Sequence, residues 1–298
     1  MAGFGGPKAS TRIKVSVVAS LERMYPVKAL LGFVGLPSST YYYHRAKARK
    51  EDKYAASRAL IKEIFDEARG RYGHRRIRIE LARRHDVRMS GKTVLREMSR
   101  SGCICRIRRR KYRSYKGEAG KTAPNVLKRN FRAKAPNTKW GTDVTEFKVA
   151  GRRIYLSPVI DMFNGEIVSY KVSSSPSMAM VTGMLTDAIV RLGPGDRPVL
   201  HSDQGWQYQN LAYRRLLARH GIKQSMSRKG NCLDNALVES FFGHLKEEFY
   251  RARRFSSPAE FTKELDAYIH WYNHVRIKQS LRGLSPVQFR TEMGARSG

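Results

Sequence analysis

The chain has 298 residues, of which 58 are Lys or Arg and 25 are Asp or Glu, so its formal net charge is +33. The 41% of hydrophobic residues argues against wholesale disorder, and no apolar run is long enough to predict a membrane-spanning helix or a secretory signal. This surplus of positive charge predicts a polyanionic partner, and nucleic acid is the leading candidate.

The charge is concentrated in the first half of the chain. Residues 1–135 carry 35 Lys or Arg against 10 Asp or Glu, a net charge of +25, whereas residues 136–298 carry a net charge of +8. The first part therefore predicts a region that contacts nucleic acid, joined to a more ordinary globular domain. The three cysteines are too few for a disulfide framework, which favours a reducing cytoplasm.

A first helix-turn-helix pattern lies within residues 1–50. An apolar helix that begins near Val27 is expected to end near Gly35, and Ser38 or Ser39 is placed to cap a second helix. A small helical bundle without a DNA-binding role would show the same pattern, so this alternative stays open.

A second helix-turn-helix pattern occupies residues 51–105. Apolar side chains at helical spacing predict three helices, with a turn at residues 70–74 and Ser90 as the cap of the third helix. The third helix would present basic side chains to a DNA groove or backbone. These are Lys92, Arg96 and Arg100.

A basic connector over residues 106–135 follows, with little periodicity. It is expected to track phosphates through its positive charge, or to be a solvated linker that orders only on DNA. Its strongest basic run includes Arg108, Arg109 and Arg110.

From residue 136 the pattern changes to strands. Five strands are expected, three of them antiparallel at the start and two alternating with helices, which predicts a mixed α/β sheet. The expected strands are Lys139–Val149, Ile154–Asp161, Ile167–Val172, Pro198–Ser202 and Lys223–Met226.

Three carboxylates in this domain stand at informative positions. Asp143 is predicted inside the first strand, Asp203 directly after the fourth, and Glu239 on a helix over residues 233–249. An uncompensated charge inside a strand is costly, and the end of a strand in an open α/β sheet is a common place for site residues. Three converging carboxylates match the oxygen ligands that a pair of Mg²⁺ or Mn²⁺ ions requires.

Other side chains compete less well for a metal role. Glu146 is expected on the opposite strand face from Asp143, and Asp234 is better placed as a helix cap. Asp161 ends the second strand and stays an alternative metal neighbour. Cys103 and Cys105 lack the spacing of a structural zinc site.

The three carboxylates are separated by 60 and 36 positions, which resembles the D,D(35)E core of retroviral integrases and related transposases. Four further motif blocks resemble the OrfB transposases of the "insertion sequence three" family. They are Trp140-Gly-Thr-Asp-Val-Thr-Glu-Phe, His201-Ser-Asp-Gln-Gly-Trp-Gln-Tyr, Ser227-Arg-Lys-Gly-Asn-Cys-Leu-Asp-Asn-Ala-Leu-Val-Glu-Ser-Phe-Phe and Tyr272-Asn-His-Val-Arg followed by Leu284-Ser-Pro. Tyr72-Gly-His-Arg-Arg-Ile resembles the upstream helix-turn-helix region of that family, so the resemblance spans nearly the whole chain.

This resemblance implies an RNase H-like core, a five-stranded mixed sheet with flanking helices, preceded by an all-α helix-turn-helix region. The implied activity is that of a DDE transposase, which cleaves and transfers DNA strands with Mg²⁺, Mn²⁺ being the substitute. Asp143, Asp203 and Glu239 would be the catalytic metal ligands. Lys246 would contact the DNA ends, and Asn235 and His201 would contact DNA or support the ligands.

The resemblance also implies partners and a division of the chain. Double-stranded element ends and target DNA, a homo-oligomer that synapses the ends, and an OrfA partner or fusion are expected in a nucleoid-associated cytoplasmic protein. The expected domains are residues 1–50, 51–105, 106–135, the core at 136–252, and a helical extension at 253–298. The alternatives are a DNA-binding accessory factor or repressor with a non-autonomous core, and an RNase H-like structure-specific nuclease.

Overall fold

The computed structural model describes residues 10–49, 52–105, 123–127, 130–227, 235–251 and 253–295. Its contacts divide the chain into two compact units, Met1–Ala59 and Leu60–Gly298. The five-part division expected from the sequence stays a prediction.

The first unit contains three helices around a small apolar core. The helices are α1 (Thr11–Leu21), α2 (Val27–Val34) and α3 (Ser38–Arg49). Gly35 ends α2 in the left-handed region at φ +59°, a conformation that favours glycine, and this allows the chain to turn into α3. The helix end near Gly35 is therefore confirmed, and a second helix follows it. Because α3 already begins at Ser38, Ser38 and Ser39 are its first two residues, and the cap expected at one of them is wrong.

Three further helices come next in the sequence. They are α4 (Ala55–Glu67), α5 (His74–His85) and α6 (Gly91–Arg100). Ser90 caps α6 as predicted, because its hydroxyl accepts a hydrogen bond of 3.1 Å from the backbone N–H of Thr93. The apolar faces of these helices share one buried core with Ile277, a residue near the C-terminus of the chain.

A mixed sheet forms the centre of the second unit. Its strands are β1 (Lys139–Thr142), β2 (Thr145–Val149), β3 (Arg152–Asp161), β4 (Ile167–Ser173), β5 (Val199–Ser202) and β6 (Lys223–Met226). β3 pairs antiparallel with β1, β2 and β4, whereas β5 pairs parallel with β1 and with β6. The expected mixed sheet, with antiparallel strands first and then two strands that alternate with helices, is confirmed, but it has six strands among the described residues instead of five.

The single first strand expected over Lys139–Val149 is wrong in detail. β1 and β2 both pair with β3, but the chain leaves the strand conformation at Asp143 and Val144. Buried and exposed side chains alternate along β2, whereas in β1 the last three of the four residues are all buried. The break places Asp143 between two strands rather than inside one.

Helices cover both faces of the sheet. The elements are α7 (Met178–Ile189), α8 (Trp206–Gln209), α9 (Leu211–Arg219), α10 (Ala236–Leu245), a π-helical turn (Lys246–Tyr250), α11 (Pro258–His274), a 3₁₀ turn (Gln279–Leu281) and α12 (Pro286–Ala295). One apolar core joins the sheet to α10 and α11, and a second joins it to α7 and α9. The helix expected over residues 233–249 is thus an α-helix that gives way to a π-helical turn at Lys246.

Part of the predicted basic connector has a structural role. Residues 123–127 lie along β6, where the backbone N–H of Val126 donates to the Ser225 hydroxyl at 3.0 Å and Leu127 is buried. This stretch covers the outer edge of the sheet. Phosphate contacts by the basic residues of the connector stay a prediction. Residues 106–122 and 128–129, with Arg108, Arg109 and Arg110, lie outside the described residues.

Within the part of the chain that the structure describes, no helix is long and apolar enough to cross a membrane.

Candidate active site

The first candidate ligand, Asp143, lies where the first strand is interrupted. Its Oδ1 atom accepts a hydrogen bond of 2.7 Å from the backbone N–H of Val144. Burial and the negative charges of Asp203 and Glu239 raise the pKa of Asp143 to about 8, against the smaller opposing effects of that hydrogen bond and of Lys246. The two neighbouring carboxylates therefore raise the pKa of Asp143 by more than the charge of Lys246 lowers it.

Asp203 follows β5 directly. Because β5 runs parallel to β1 with His201 opposite Gly141, the two strands end side by side and bring Asp203 toward Asp143. The backbone N–H of Gly205 donates to Oδ1 of Asp203 at 2.8 Å and fixes this carboxylate where α8 begins. Burial raises the pKa of Asp203, and the hydrogen bond from Gly205 lowers it by less.

Glu239 reaches the same site from α10, which packs on β1. Gly141 allows this close approach, because a Cβ atom at that position would lie 2.8 Å from Cγ2 of Val238. Val238 neighbours Glu239 on α10, so the contact sets how near the carboxylate comes to the sheet. All three carboxylate residues keep some exposed surface, so an ion or a DNA phosphate can reach them.

The three carboxylates fit a divalent cation by their chemistry. They are hard oxygen donors, and their mutual repulsion, seen in the raised pKa of Asp143, is what a bound dication would relieve. Among the described residues, however, no group of three His, Cys, Asp or Glu side chains is close enough to hold an ion as it stands. A metal would therefore have to draw these carboxylates together.

Lys246 and Asn235 lie beside Asp143. Nζ of Lys246 is 5.8 Å from the centre of the Phe147 ring, and burial lowers its pKa, together with the charge of Arg251. The buried Asn235 amide donates to Oδ2 of Asp143 at 3.4 Å, while its Oδ1 atom has no hydrogen-bond partner among the described residues. Contact of either side chain with DNA stays a prediction.

His201 lies inside the sheet, two residues before Asp203. Its side chain is completely buried, and Nδ1 lies 2.9 Å from the hydroxyl of Ser225 on β6. A buried imidazole has no surface to offer a duplex, so the expected DNA contact of His201 is wrong for this structure. The other expectation, support of the strand that carries Asp203, stays a prediction.

The predicted basic side chains of the second helix-turn-helix pattern are all exposed on α6. Lys92 points to solvent at the start of the helix, whereas Arg96 and Arg100 lie 2.9 and 3.4 Å from the buried carboxylate of Glu97. Their role in DNA binding stays a prediction.

The competing carboxylates have other partners. Glu146 is exposed, on the opposite strand face from its buried neighbours, and pairs with Arg153 at 3.5 Å. Asp161 is completely buried and accepts hydrogen bonds from Arg290 and from two backbone N–H groups. Asp161 therefore anchors α12 and is not one of the charges that raise the pKa of Asp143.

Sequence reasoning missed Tyr208, whose phenol is buried close to the site. Burial raises its pKa well above the usual value, and the charges of Asp143 and Asp203 raise it further. Its position in the His201-to-Tyr208 motif block, five residues after Asp203, was the available signal.

Three family models match the chain. Residues 133–232 and 239–293 each match a model described as "Integrase core domain", and residues 51–111 match one described as "HTH-like domain". The first two ranges contain the three carboxylates, and the third contains α4, α5 and α6.

Curated relatives carry consistent names. The chain is 50% identical over 93% of its length to the "Putative transposase InsK for insertion sequence element IS150" of Escherichia coli, of which it covers 98%. It is 32% identical over 78% of its length to the "Transposase InsF for insertion sequence IS3A" of the same organism, of which it covers 81%.

A solved structure, the "CryoEM structure of simian T-cell lymphotropic virus intasome in complex with PP2A regulatory subunit B56 gamma", also matches. The match covers 77% of this chain and 74% of that chain, with 19% identity and a TM-score of 0.47.

Proposed function

Because the chain belongs to the family of insertion-sequence transposases with an integrase core domain, we propose that it cleaves and joins DNA at the ends of its element with Mg²⁺. Such enzymes are polynucleotidyl transferases. The reaction is hydrolysis that frees a 3′-hydroxyl at the element end, followed by attack of that hydroxyl on a phosphodiester of the target. One P–O bond breaks as another forms in each step.

Asp143, Asp203 and Glu239 would hold two Mg²⁺ ions, for which Mn²⁺ can substitute. When bound, such ions activate the attacking oxygen and stabilise the leaving oxygen. Asp143 has to give up its proton to serve as a ligand, because its pKa is raised to about 8. Gly205 holds Asp203 in place, and the amide of Asn235 orients Asp143.

Lys246 would bind the terminal phosphates of the element end. It lies seven residues after Glu239, close to two helical turns, and its charge acts on Asp143. A cation so close to the carboxylates is well placed to hold a phosphate against them.

The observation that carries the proposal is that three carboxylates gather at one place in the sheet. The charges of Asp203 and Glu239 both raise the pKa of Asp143, and a bound dication would relieve this repulsion. Asp161, a buried carboxylate outside the site, is instead paired with Arg290.

DNA is the proposed partner on both sides of the reaction. The net charge of +33 favours phosphate contacts, and Lys92, Arg96 and Arg100 on α6 are exposed for them. Because two element ends must be brought together, we expect a homo-oligomer on DNA, aided by an OrfA product. The bacterial cytoplasm, at the nucleoid, is the expected location.

The test is a strand-transfer assay with labelled element-end DNA and Mg²⁺. Wild-type protein should cut and join its own ends and ignore scrambled ends, and Asp143→Asn should do neither. Full activity of Asp143→Asn would refute the proposal. Binding without cleavage by the wild type would instead indicate an accessory factor, and cleavage of scrambled ends a structure-specific nuclease.

A further inference from the structure

The helix that carries Glu239 and Lys246 has a second charged face. Glu248 lies nine residues after Glu239, which corresponds to about half a turn of rotation on an α-helix, so the two carboxylates point to opposite sides. Between them the helix changes to a π-helical turn, closed by a hydrogen bond of 2.9 Å from the backbone N–H of Arg251 to the carbonyl of Lys246. Such turns occur frequently at functional sites.

Glu248 is buried in a network of charged and polar groups. Arg276 donates two hydrogen bonds to its carboxylate, at 2.8 and 2.6 Å, and the hydroxyl of Tyr268 donates a third at 3.0 Å. Nη1 of Arg76, on α5 of the HTH-like domain, lies 3.8 Å from Oε1 of Glu248. Arg76 of the HTH-like domain therefore contacts a carboxylate on the helix that carries Glu239.

The same place joins two motifs that lie about 200 residues apart in the sequence. The hydroxyl of Tyr72 accepts a hydrogen bond of 3.1 Å from the backbone N–H of Ile277. The guanidinium of Arg71 lies 4.6 Å from the centre of the Trp271 ring. Contacts between residues 71–72 and residues 271–277 thus hold the HTH-like domain on the core beside Glu248.

We propose that Glu248 is a positioning residue through which docking of the HTH-like domain sets the placement of Glu239 and Lys246. This inference rests on the proposed function for the roles of those two residues. A bidentate pair between Arg276 and Glu248 allows only a narrow range of geometries, so it fixes the rotation of the helix about its axis. Because Arg76 on α5 also contacts Glu248, the rotation of the helix depends on the position of α5.

The discriminating variant is Arg76→Gln, because it removes only the contribution of the HTH-like domain and leaves the Glu248–Arg276 pair in place. The matched control is Arg84→Gln on the same helix. Arg84 makes two hydrogen bonds, of 2.6 and 3.1 Å, to Glu67 within the HTH-like domain and is remote from the catalytic helix. Arg76→Lys retains the charge and is the conservative rescue.

Three quantities are measured on the full chain: the single-turnover cleavage rate at saturating element-end DNA and Mg²⁺, the Kd for that DNA, and amide hydrogen exchange over residues 236–245. Arg76→Gln should slow cleavage by about 10- to 100-fold, the usual cost of losing a supporting group around a metal site. The Kd should stay within twofold, residues 236–245 should exchange faster than in Arg84→Gln, and Arg76→Lys should recover most of the rate.

Unchanged cleavage and unchanged exchange in Arg76→Gln would overturn the inference. A weaker Kd with a normal rate at saturation would do the same, because it would make Arg76 a DNA contact. If wild-type protein fails to cleave its ends, the proposed function fails, and the exchange measurement still decides whether α5 controls the catalytic helix.

Discussion

Asp143 and Glu248 are acids in one domain with opposite surroundings. Asp143 lies near two further carboxylates, Asp203 and Glu239, and its pKa is raised to about 8, mainly by burial and by the charge of Asp203. Burial acts on Glu248 in the same direction, but the charges of Arg276 and Arg76 outweigh it and lower its pKa. Arginines of the chain thus stabilise the negative charge of Glu248, whereas the neighbouring carboxylates make the negative charge of Asp143 less favourable.

This difference distinguishes a carboxylate that is paired within the fold from the cluster that we propose to bind metal. A buried charge is tolerated where a partner and hydrogen bonds balance it, so removal of the partner is costly. Carboxylates that repel one another destabilise the free protein, and a dication that binds them would offset that cost. α10 carries Glu239 of the proposed metal site, and its π-helical turn carries the paired Glu248.

The largest expected effect is the loss of activity when a carboxylate of the proposed metal site is neutralised. Asp203→Asn should slow cleavage by about 1,000-fold or more, because the metal contributes several kcal/mol of transition-state stabilisation and each 1.36 kcal/mol is a factor of ten. Single-turnover cleavage of labelled end DNA measures it. The control is Glu146→Gln, which changes an exposed carboxylate three residues after Asp143, and its cleavage rate should stay within a few-fold of wild type. Equal cleavage rates for the two variants would mean that Asp203 has no special role in cleavage.

Neutralising the balanced carboxylate should instead reduce stability. Glu248→Gln leaves Arg276 buried without its counter-charge, so the free energy of unfolding should fall by about 3 kcal/mol. Urea denaturation followed by circular dichroism provides the measurement, with Glu247→Gln, a less buried neighbour, as control. A loss below about 0.5 kcal/mol, the usual limit for surface substitutions, would mean that the pair of Glu248 and Arg276 does not stabilise the fold.

The contributions of Asp143 and Glu248 to the pH dependence of stability should have opposite signs, because the pKa of Asp143 is raised and that of Glu248 is lowered. The pKa of Asp143 is higher in the folded protein than in the unfolded chain, so the folded state binds more protons and loses stability as pH rises from about 4 to 8. Asp143→Asn should therefore stabilise the metal-free protein at pH 8 and change little near pH 4. Thermal unfolding in EDTA across this range tests the sign, and a destabilised variant at pH 8 would contradict it.

The smallest expected effect concerns the packing of α10 against the sheet. Gly141→Ala would place a Cβ atom 2.8 Å from Val238, so α10 should shift and stability should fall by about 1–2 kcal/mol. Cleavage should also slow, because Glu239 moves with α10. The double variant with Val238→Ala should recover part of the rate; no recovery would show that this contact does not set the position of Glu239.

The sequence could predict the three carboxylates of the candidate site but not the buried carboxylate of Glu248. The spacing of Asp143, Asp203 and Glu239, with the motif blocks around them, indicated the site because strand ends and a helix face bring such residues together. Glu248 gave no signal, because an acid on a helix is typical of a solvated face, and its partner Arg276 lies 28 residues away. Long-range pairing of this kind depends on tertiary packing.

Local geometry was also partly beyond the sequence. The apolar residues from Leu237 to Phe249 recur every four positions, which predicted one continuous helix and concealed the π-helical turn. The cap at Ser90 was predictable, because a serine before an apolar periodic segment satisfies a free backbone N–H by itself.

A calorimetric titration of the wild type and of Asp203→Asn with Mn²⁺ at pH 8 tests the central claim, that Asp143, Asp203 and Glu239 form the cation site. The wild type should bind Mn²⁺ and release protons, seen as a heat that changes with the ionisation enthalpy of the buffer, and Asp203→Asn should bind at least about 10-fold more weakly. Equal affinity and equal proton release in the two proteins would place the metal elsewhere and contradict the account.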